Sequence, residues 1–307
     1  MRICCPTDRR TGRICELRSK SAKSSPILPE FILYHYLTII FQPQYQDRLL
    51  YNYSMKEIFL SVVIPSYDEM ANLRKGVLDH VKSFLDKQKY HYEVIVVDDG
   101  SRDGSDGFIQ DFVDENKTFS LIKNAHSGKA GALTAGILQA KGKFILFTDM
   151  DQATPIEEVK RLLPYFDENY AIVIGSRKSS RKGAPWTRVL MARSMMLLRS
   201  AVVGIRGISD TQCGFKLFRR EVGHTLFTRL KTLHQGFRKV NGSSVSAGFD
   251  VELLYLAQQM GYTIKEVPVS WLYVESRRVN PVGDSIRGVV DLLTIKVNAL
   301  SGKYENL

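Results

Sequence analysis

The sequence predicts an α/β fold with a mostly parallel central sheet flanked by helices. Three apolar segments, 60–64, 92–97 and 144–147, are nearly continuous rather than alternating, which is typical of parallel strands covered on both faces. A helical pattern follows the first of them, over about residues 72–85. The chain has 307 residues, 44% of them hydrophobic, so it is long enough to bury such a core.

Acidic residues follow all three predicted strands. The carboxyl ends of parallel strands lie at one edge of a sheet, where ligands of α/β folds bind. One acidic strand end is ordinary, but three in succession indicate a site. We expect this edge to carry Asp68, Asp98, Asp99, Asp149 and Asp151.

Asp149 and Asp151 are separated by one residue at the end of the third strand. Two carboxylates in this arrangement suit Mg²⁺ or Mn²⁺, which prefer oxygen ligands and often complete their shell with substrate phosphates. Taken alone, the motif would be interpreted by default as a capped loop that enters a helix at 154–158. The other acidic strand ends favour the metal site.

The formal net charge is +11, which favours nucleic acid, an anionic membrane or phosphorylated ligands as partners. The sequence contains no recognisable nucleic-acid-binding motif. Three of the four cysteines, Cys4, Cys5 and Cys15, lie near the N-terminus, and Cys213 is alone. This is no disulfide framework and indicates a reducing compartment.

The first 54 residues lack the strand–turn–helix rhythm of the rest. Their apolar run, 31–41, is shorter than the roughly 20 residues that span a bilayer. We hypothesise that Met55 is the native start and that 1–54 is a non-native or disordered extension; a membrane-docking leader is the alternative. The predicted catalytic domain is then 55–283, followed by a C-terminal amphipathic helix and tail, 284–307.

Seven motifs follow one another along the chain: Val63–Glu69, Val97–Gly104, Gly128–Ala132, Asp149–Asp151, Gly175–Arg177, Asp210–Lys216 and Phe249–Leu254. In this order they resemble the motifs of the inverting family 2 glycosyltransferases with the GT-A fold. The resemblance covers about residues 60–296 and is greatest for the polyprenyl-phosphate sugar transferases, with 210–216 and 249–254 closer to the glucosyl than to the mannosyl branch.

The resemblance implies an inverting, metal-dependent hexosyltransferase. It would move a hexose from a nucleotide diphosphate sugar to a polyprenyl or dolichyl phosphate and give a β-linked lipid-phosphate sugar, with Mg²⁺ or Mn²⁺ as cofactor. UDP-glucose is the preferred donor and GDP-mannose the second. A glycosyltransferase with a saccharide or protein hydroxyl as acceptor is an alternative. A more remote alternative is a non-catalytic module that binds a nucleotide sugar or a membrane.

The resemblance also implies a nucleotide site. Asp98 is either a ligand contact or an aspartate that supports a turn. The family usually has Asn at the position of Asp68 and often has Glu at the position of Met70. Lys129, at the predicted start of a helix, suits a diphosphate, whereas taken alone it would be interpreted as a solvated surface residue. The implied nucleotide-binding residues are Pro65, Tyr67, Glu69, Asp98, Asp99, Lys129 and Asp149.

Asp149 and Asp151 are the expected metal ligands. Gln152 lies one position before the place where some members of the family have a glutamine that joins the metal, so it is not assigned as a ligand. A lipid phosphate needs cations rather than a base, because its second pKa is near 6. For Asp210 the alternatives are a general base, a carboxylate that orients the substrate, and a helix-cap or loop aspartate. For Glu252 they are a contact to the sugar and a solvated surface charge. The expected catalytic residues are Asp151, Asp210, Arg177 and Lys216, and the expected acceptor or sugar contacts are Asp250, Glu252, Arg277 and Arg278.

Two segments indicate a membrane surface. Residues 186–205 are apolar and rich in methionine, and 284–300 carry an apolar stripe at helical period. Either segment could instead pack on the sheet. No run of 18 apolar residues occurs, so we expect a cytoplasmic protein held peripherally at the cytoplasmic face of a membrane, with a membrane-anchored partner subunit or a homo-oligomer as further options. The stripe consists of Ile286, Val289, Val290, Leu293, Val297 and Leu300.

Overall fold

In the computed structural model, residues 57–177, 199, 201–237, 247–272 and 281–305 are described. They all belong to one unit, Pro43–Leu307. The expectations for residues 1–54 and for Arg277 and Arg278 lie outside the described residues. The same holds for most of the 186–205 segment.

The first half of the described chain alternates strands and helices, as predicted. The predicted helix over 72–85 is two helices, because Gly76 adopts a left-handed conformation with φ of 76° between them. The elements are β1 (Leu60–Ser66), α1 (Met70–Leu73), α2 (Val77–Leu85), β2 (Tyr92–Asp98), α3 (Ser105–Glu115), β3 (Phe119–Lys123), α4 (Gly128–Gln139) and β4 (Phe144–Thr148).

The second half starts with a short helical stretch, in which 3₁₀ turns Ile156–Glu158 and Leu163–Phe166 flank α5 (Val159–Leu162). The remaining elements are β5 (Ile172–Ser176), β6 (Phe215–Arg219), α6 (Arg220–Leu233), α7 (Ala247–Gln259), β7 (Ile264–Pro268) and α8 (Pro281–Leu300).

One seven-stranded sheet joins these strands in the order β3-β2-β1-β4-β6-β5-β7. All neighbouring pairs are parallel except the two that involve β6, which runs antiparallel to β4 and β5. The mostly parallel α/β sheet predicted from the sequence is thereby confirmed. Pro65 causes no conflict on the β4 side, because the β1–β4 ladder ends at Val63.

Both faces of the sheet are covered, which explains the continuous apolar runs. Along β1, Val63 packs in the hydrophobic cluster that contains α4, α6 and α7, whereas Val62 and Ile64 pack in the cluster on the other face, with α2 and α5. Because successive side chains of a strand point to opposite faces, a strand covered on both sides must be apolar throughout.

The C-terminal helix α8 buries one face and exposes another. Leu292 and Ile295 are each 3% exposed, and Asp291 accepts a hydrogen bond from the amide of Gly248 at the start of α7. Val289, part of the predicted stripe, is half-buried. The other five stripe residues are 52–76% exposed: Ile286, Val290, Leu293, Val297 and Leu300.

Candidate active site

The five predicted aspartates lie at the edge of the sheet where β1, β2 and β4 end. Asp98 closes β2 opposite Ser66, the last residue of β1, and Asp149 directly follows β4. The parallel pairing of these strands brings their carboxyl ends together, as the sequence predicted.

Asp68 adopts a left-handed conformation with φ of 51°. Its amide donates to Ser101 Oγ at 2.9 Å, and its Oδ1 accepts from the amide of Arg102 at 2.7 Å. Asn and Asp tolerate this backbone region better than other non-glycine residues. Asp68 therefore suits the turn in the position where the resemblance leads one to expect Asn.

The loops after β1 and β2 are further joined through the next two residues. The amide of Glu69 donates to Ser105 Oγ at 3.0 Å, and that of Met70 donates to Asp103 Oδ2 at 3.0 Å. Glu69 also accepts a hydrogen bond from the Asn72 side chain at 2.6 Å. The two loops therefore form one connected platform beside Tyr67.

Asp98 supports the turn that follows it. Its Oδ2 accepts from the amides of Gly100 at 3.1 Å and Ser101 at 3.2 Å, and its Oδ1 accepts from Ser101 Oγ. The residue is only 3% exposed. This geometry fits the turn aspartate, one of the two roles that the sequence left open.

Asp99 holds the loop that leads into α4. Its carboxylate accepts from the Asn124 side chain at 2.9 Å and from the amides of Ser127 and Gly128 at 2.9 and 2.8 Å. His126 Nδ1 lies 3.0 Å from the same carboxylate. With both oxygens engaged and 3% exposure, Asp99 positions the start of α4.

His126 also stacks on Tyr67, with ring centroids 4.2 Å apart and planes 17° from parallel. Tyr67 is one of the expected nucleotide-binding residues, so His126 fixes the plane of its ring while Asp99 fixes His126. Sequence reasoning missed His126, because a single histidine in a loop carries no spacing signal. The contact joins the loop after β1 to the start of α4.

Lys129 is the second residue of α4 and forms an ion pair with Asp149. The Lys129 Nζ to Asp149 Oδ1 distance is 2.5 Å, and the two side chains are 23% and 39% exposed. Burial alone would lower the pKa of Lys129, but the charges of Asp149 and Asp250 raise it above its ordinary value. A diphosphate at this helix terminus would therefore meet a fully charged ammonium group.

Asp149 packs against the backbone of Gly214. A Cβ atom on Gly214 would lie 1.8 Å from Asp149 Oδ2, so only glycine fits there. Gly214 stands inside the motif before β6 that carried the family resemblance. Its motif position is visible in the sequence, whereas its role against Asp149 depends on a contact between distant residues.

Asp151, the other expected metal ligand, accepts a hydrogen bond from the amide of Ala153 at 3.0 Å through Oδ1. Burial raises its pKa, and the neighbouring charge of Asp149 adds to this effect, although the Ala153 amide and Lys129 oppose it. Gln152 donates its side-chain amide to the Asp149 carbonyl at 2.9 Å. Its amide nitrogen thus turns to the main chain.

The two carboxylates are a donor set that Mg²⁺ or Mn²⁺ can use. No group of three or more His, Cys, Asp or Glu side chains suited to a metal occurs within the described ranges. Mg²⁺ commonly binds through one or two carboxylates together with substrate phosphates. Asp149 and Asp151 therefore fit an ion that is bound jointly with a phosphorylated substrate.

Arg177, just after β5, binds Asp210 by two parallel side-chain hydrogen bonds. Its Nε and Nη2 each lie 2.8 Å from an Asp210 oxygen, and its amide donates to Asp210 Oδ2 at 3.0 Å. Burial would raise the pKa of Asp210, but the Arg177 guanidinium and amide outweigh it and lower the pKa to about 2. Asp210 is thus a firmly ionised partner of an arginine.

Two further charged residues, Glu266 and Arg199, hold the segment that carries Asp210. Glu266 on β7 accepts from the amide of Asp210 at 2.9 Å and from the hydroxyl of Ser209 at 2.6 Å. Arg199 binds the hydroxyl of Thr211 at 2.8 Å and the carbonyl of Ser209 at 3.0 Å. The segment that carries Asp210 is therefore held from both sides.

Lys216 on β6 is fully buried and forms a 2.5 Å ion pair with Asp250 of α7. Its ammonium group also donates to the Cys213 carbonyl at 2.7 Å. From the sequence we expect Lys216 among the catalytic residues. In the structure this lysine neutralises and orients Asp250, whose charge also acts on Lys129.

Comparison with known proteins places the chain in a family. Residues 61–227 match the model for glycosyl transferase family 2. The chain is 34% identical to the dolichyl-phosphate beta-glucosyltransferase of Homo sapiens over 80% of this chain and 77% of the relative, and 31% identical to that of Dictyostelium discoideum over 81% and 77%. The chain belongs to glycosyl transferase family 2.

A solved structure agrees on the fold of this family 2 glycosyltransferase. Mannosyl-3-phosphoglycerate synthase from Rubrobacter xylanophilus superposes with a TM-score of 0.58 at 15% identity, over 84% of this chain and 77% of that one. The expected GT-A architecture is thereby confirmed.

Glu252 of this family 2 enzyme does not share the surroundings of Asp250. It is 5% exposed, accepts a hydrogen bond from the Tyr304 hydroxyl at 2.7 Å, and lies 2.6 Å from His234 Nε2. Residues two apart on a helix point in different directions. Glu252 therefore joins the residue that follows α6, α7 itself and the segment after α8, so it is not a solvated charge.

The segment after β7 passes Arg177 and the loop that carries Asp151. Trp271 lies under Arg177, with the guanidinium carbon 5.9 Å from the ring centroid. The amide of Leu272 donates to the Ala153 carbonyl at 2.7 Å, and its side chain is 60% exposed. Sequence reasoning missed both residues, since an isolated Trp-Leu pair carries no motif.

Proposed function

We propose that this chain transfers glucose from UDP-glucose to dolichyl phosphate with inversion, giving a β-linked dolichyl-phosphate glucose. The similarity to dolichyl-phosphate beta-glucosyltransferases over about four fifths of the chain supports the donor sugar and the acceptor. The Arg177–Asp210 ion pair is the observation in the site that carries the acceptor class.

An alcohol acceptor needs a general base whose pKa lies near the working pH. Asp210, with a pKa of about 2 and both oxygens bonded to Arg177, is poorly suited to remove a proton. A phosphate monoester needs no such base, because its second pKa is near 6 and its oxygens are already anionic at neutral pH. The site therefore favours a phosphate acceptor.

Cationic residues account for the binding of both substrates. At the N-terminus of α4, Lys129 and the backbone amides attract the donor diphosphate. Asp210 holds Arg177 by Nε and Nη2, and among the described residues Nη1 has no hydrogen-bond partner. We assign Nη1 to the acceptor phosphate, with Trp271 supporting the guanidinium plane.

GT-A glycosyltransferases generally use a divalent metal ion. In this chain Asp149 and Asp151 would hold it. When bound, the ion would neutralise the negative charge that develops on the leaving diphosphate.

A transfer assay tests the proposal. The protein with Mg²⁺ or Mn²⁺ and a short polyprenyl phosphate is offered radiolabelled UDP-glucose or GDP-mannose in separate reactions. We expect label from UDP-glucose in the organic phase, lost with EDTA and in Asp151→Ala. The matched control, Asp111→Ala at an exposed position of α3, should retain activity.

Other outcomes separate the alternatives. Label from GDP-mannose alone would identify a mannosyltransferase and refute the glucose assignment. Transfer to a saccharide hydroxyl that Asp210→Asn abolishes would identify Asp210 as a base and refute the phosphate acceptor. A folded protein with neither transfer nor hydrolysis would be a silent binding module.

The exposed stripe of α8 supports peripheral association with a membrane surface. No helix in the described part of the chain is long and apolar enough to cross a membrane. The exposed apolar residues of α8 are accompanied by exposed Arg287 and Lys296. An apolar face flanked by cations is typical of a helix that lies in the interface of an anionic bilayer.

Vesicle flotation tests this association. We expect the protein to float with vesicles that contain anionic phospholipid and a Leu293→Ser/Val297→Ser variant to remain behind. Phe108→Ser, which removes an exposed apolar residue from α3, is the matched control and should float like the wild type. Equal flotation of both variants would refute the assignment to α8.

A further inference from the structure

Lys129 and a divalent cation require the same oxygen of Asp149. Lys129 Nζ lies 2.5 Å from Asp149 Oδ1, whereas Oδ2 faces the backbone of Gly214, where a Cβ would approach to 1.8 Å. The oxygen directed at Lys129 is therefore the one that a metal can approach. Both side chains remain partly exposed, at 23% and 39%, so a ligand can reach the pair.

The two cations cannot occupy this position together. A metal ion binds carboxylate oxygen at about 2.0–2.6 Å, so it would lie within a few ångströms of the ammonium group. Like charges at this separation repel each other strongly at the effective dielectric of a protein surface. Lys129 must leave Oδ1 when the ion binds there.

Asp250 of α7, whose charge also acts on Lys129, cannot simply take over the ammonium group. Asp250 is already paired with Lys216, which is fully buried. A lysine side chain is long and rotatable, and at the start of α4 it can turn to an anion held at the helix terminus. A diphosphate would supply that anion and additional oxygen ligands for the metal.

We propose that Lys129 is an internal counter-ion that makes tight metal binding at Asp149 conditional on the nucleotide diphosphate. The inference rests on the proposed function in taking a nucleoside diphosphate as the ligand. It adds that Lys129 competes with the metal for Asp149 when the nucleotide is absent and moves to the diphosphate when the nucleotide binds. Metal and nucleotide thereby bind as a coupled pair.

Manganese titration of the apoprotein, followed by the EPR signal of free Mn²⁺, tests the competition. We expect Lys129→Met to bind Mn²⁺ up to about fivefold more tightly than the wild type without nucleotide, since a partly exposed ion pair is worth up to about 1 kcal/mol. In a second titration, with UDP in the presence of EDTA, we expect Lys129→Met to bind UDP about tenfold more weakly. Lys129→Gln, a smaller change, should shift both affinities in the same directions and replaces Lys129→Met if the latter does not fold.

Two controls locate the effect. Lys75→Met removes another positive charge whose field reaches Asp151, and it should raise Mn²⁺ affinity less than Lys129→Met. Adding Asp151→Asn to Lys129→Met should abolish the gain if it arises at this site. Equal gains in both lysine variants, a gain that survives Asp151→Asn, or unchanged Mn²⁺ or UDP affinity would overturn the proposal.

These titrations contain no acceptor and no donor sugar. A failure of the wild-type protein to glucosylate a polyprenyl phosphate would refute the proposed reaction and leave the Mn²⁺ comparison unchanged. Conversely, glucosyl transfer by the wild type together with unchanged Mn²⁺ affinity in Lys129→Met would refute only the role of Lys129.

Discussion

Arg177 and Asp210 form a two-point ion pair, with Nε and Nη2 of the arginine each 2.8 Å from a carboxylate oxygen. The amide of Arg177 also donates to this carboxylate, at 3.0 Å. Such forked contacts are among the stronger hydrogen-bonded pairs in proteins. The pair fixes the orientation of the Arg177 guanidinium group, and we assign its remaining nitrogen, Nη1, to the acceptor phosphate.

This ion pair predicts how stability depends on pH. The pKa of Asp210 falls from 3.8 to about 2 on folding, so its contribution is complete above about pH 4 and is lost as the pH falls towards 2. The shift corresponds to about 2 kcal/mol. Asp210→Asn should therefore lower the free energy of unfolding by about 2 kcal/mol or more at pH 7 and by clearly less at pH 3, as measured by urea denaturation.

The control for this experiment is Asp111→Asn, at an exposed position of α3. Its free energy of unfolding should follow that of the wild type at every pH. A difference between Asp210→Asn and the wild type that stays constant from pH 7 to pH 3 would contradict the assigned role of the Arg177 pair.

Gly214→Ala should disrupt the site through Asp149. The added Cβ would meet Asp149 Oδ2 at 1.8 Å, so the carboxylate must move and with it the expected metal position. We expect transfer activity to fall by about 100-fold, because displacement of a positioned group by about 1 Å has effects of this size. Steady-state kinetics with UDP-glucose measure the loss.

Gly107→Ala is the matched control, since a Cβ at Gly107 in α3 meets no atom within 4 Å. It should leave kcat unchanged and stabilise the helix by about 0.5–1 kcal/mol. Full activity in Gly214→Ala would show that Asp149 tolerates displacement and would argue against its role as a ligand.

Asp68 predicts opposite outcomes for two substitutions. Asp68→Asn keeps both the tolerance for the left-handed backbone, φ 51°, and an oxygen for the Arg102 amide, so it should change the free energy of unfolding by less than about 0.5 kcal/mol. Asp68→Val loses both and should destabilise by about 1–3 kcal/mol. Chemical denaturation measures the two values, and equal effects would rule out this account of the turn.

Tyr304→Phe should affect stability and leave catalysis intact. Its hydroxyl donates to buried Glu252 at 2.7 Å, on a different side of α7 from Asp250, and loss of a hydrogen bond to a charged group costs about 1.5–3 kcal/mol. We expect a Tm lower by several degrees and an unchanged KM for UDP-glucose. A raised KM at unchanged Tm would instead place Glu252 in sugar binding, as the sequence allowed.

Local pattern was sufficient for the α/β class and for the edge of the sheet at which the site lies. Continuous apolar runs such as 92–97 reflect burial on both faces, and the acidic ends of β1, β2 and β4 reflect the parallel arrangement. Asp149 and Asp151 could therefore be placed together from the amino-acid order alone. The family resemblance rested on the same motifs. These features depend on residues that are close in sequence, which is why they can be read from it.

The tertiary structure decided which charged groups meet. Asp99 binds residues 124–128, Arg177 meets Asp210 across 33 positions, and Lys216 turns inward to Asp250 across 34. Glu252 and Asp250, two residues apart, face different partners. A carboxylate in the sequence can be a ligand, a turn support or an internal counter-ion, and the choice depends on burial and on partners brought together by the sheet, which no local spacing encodes.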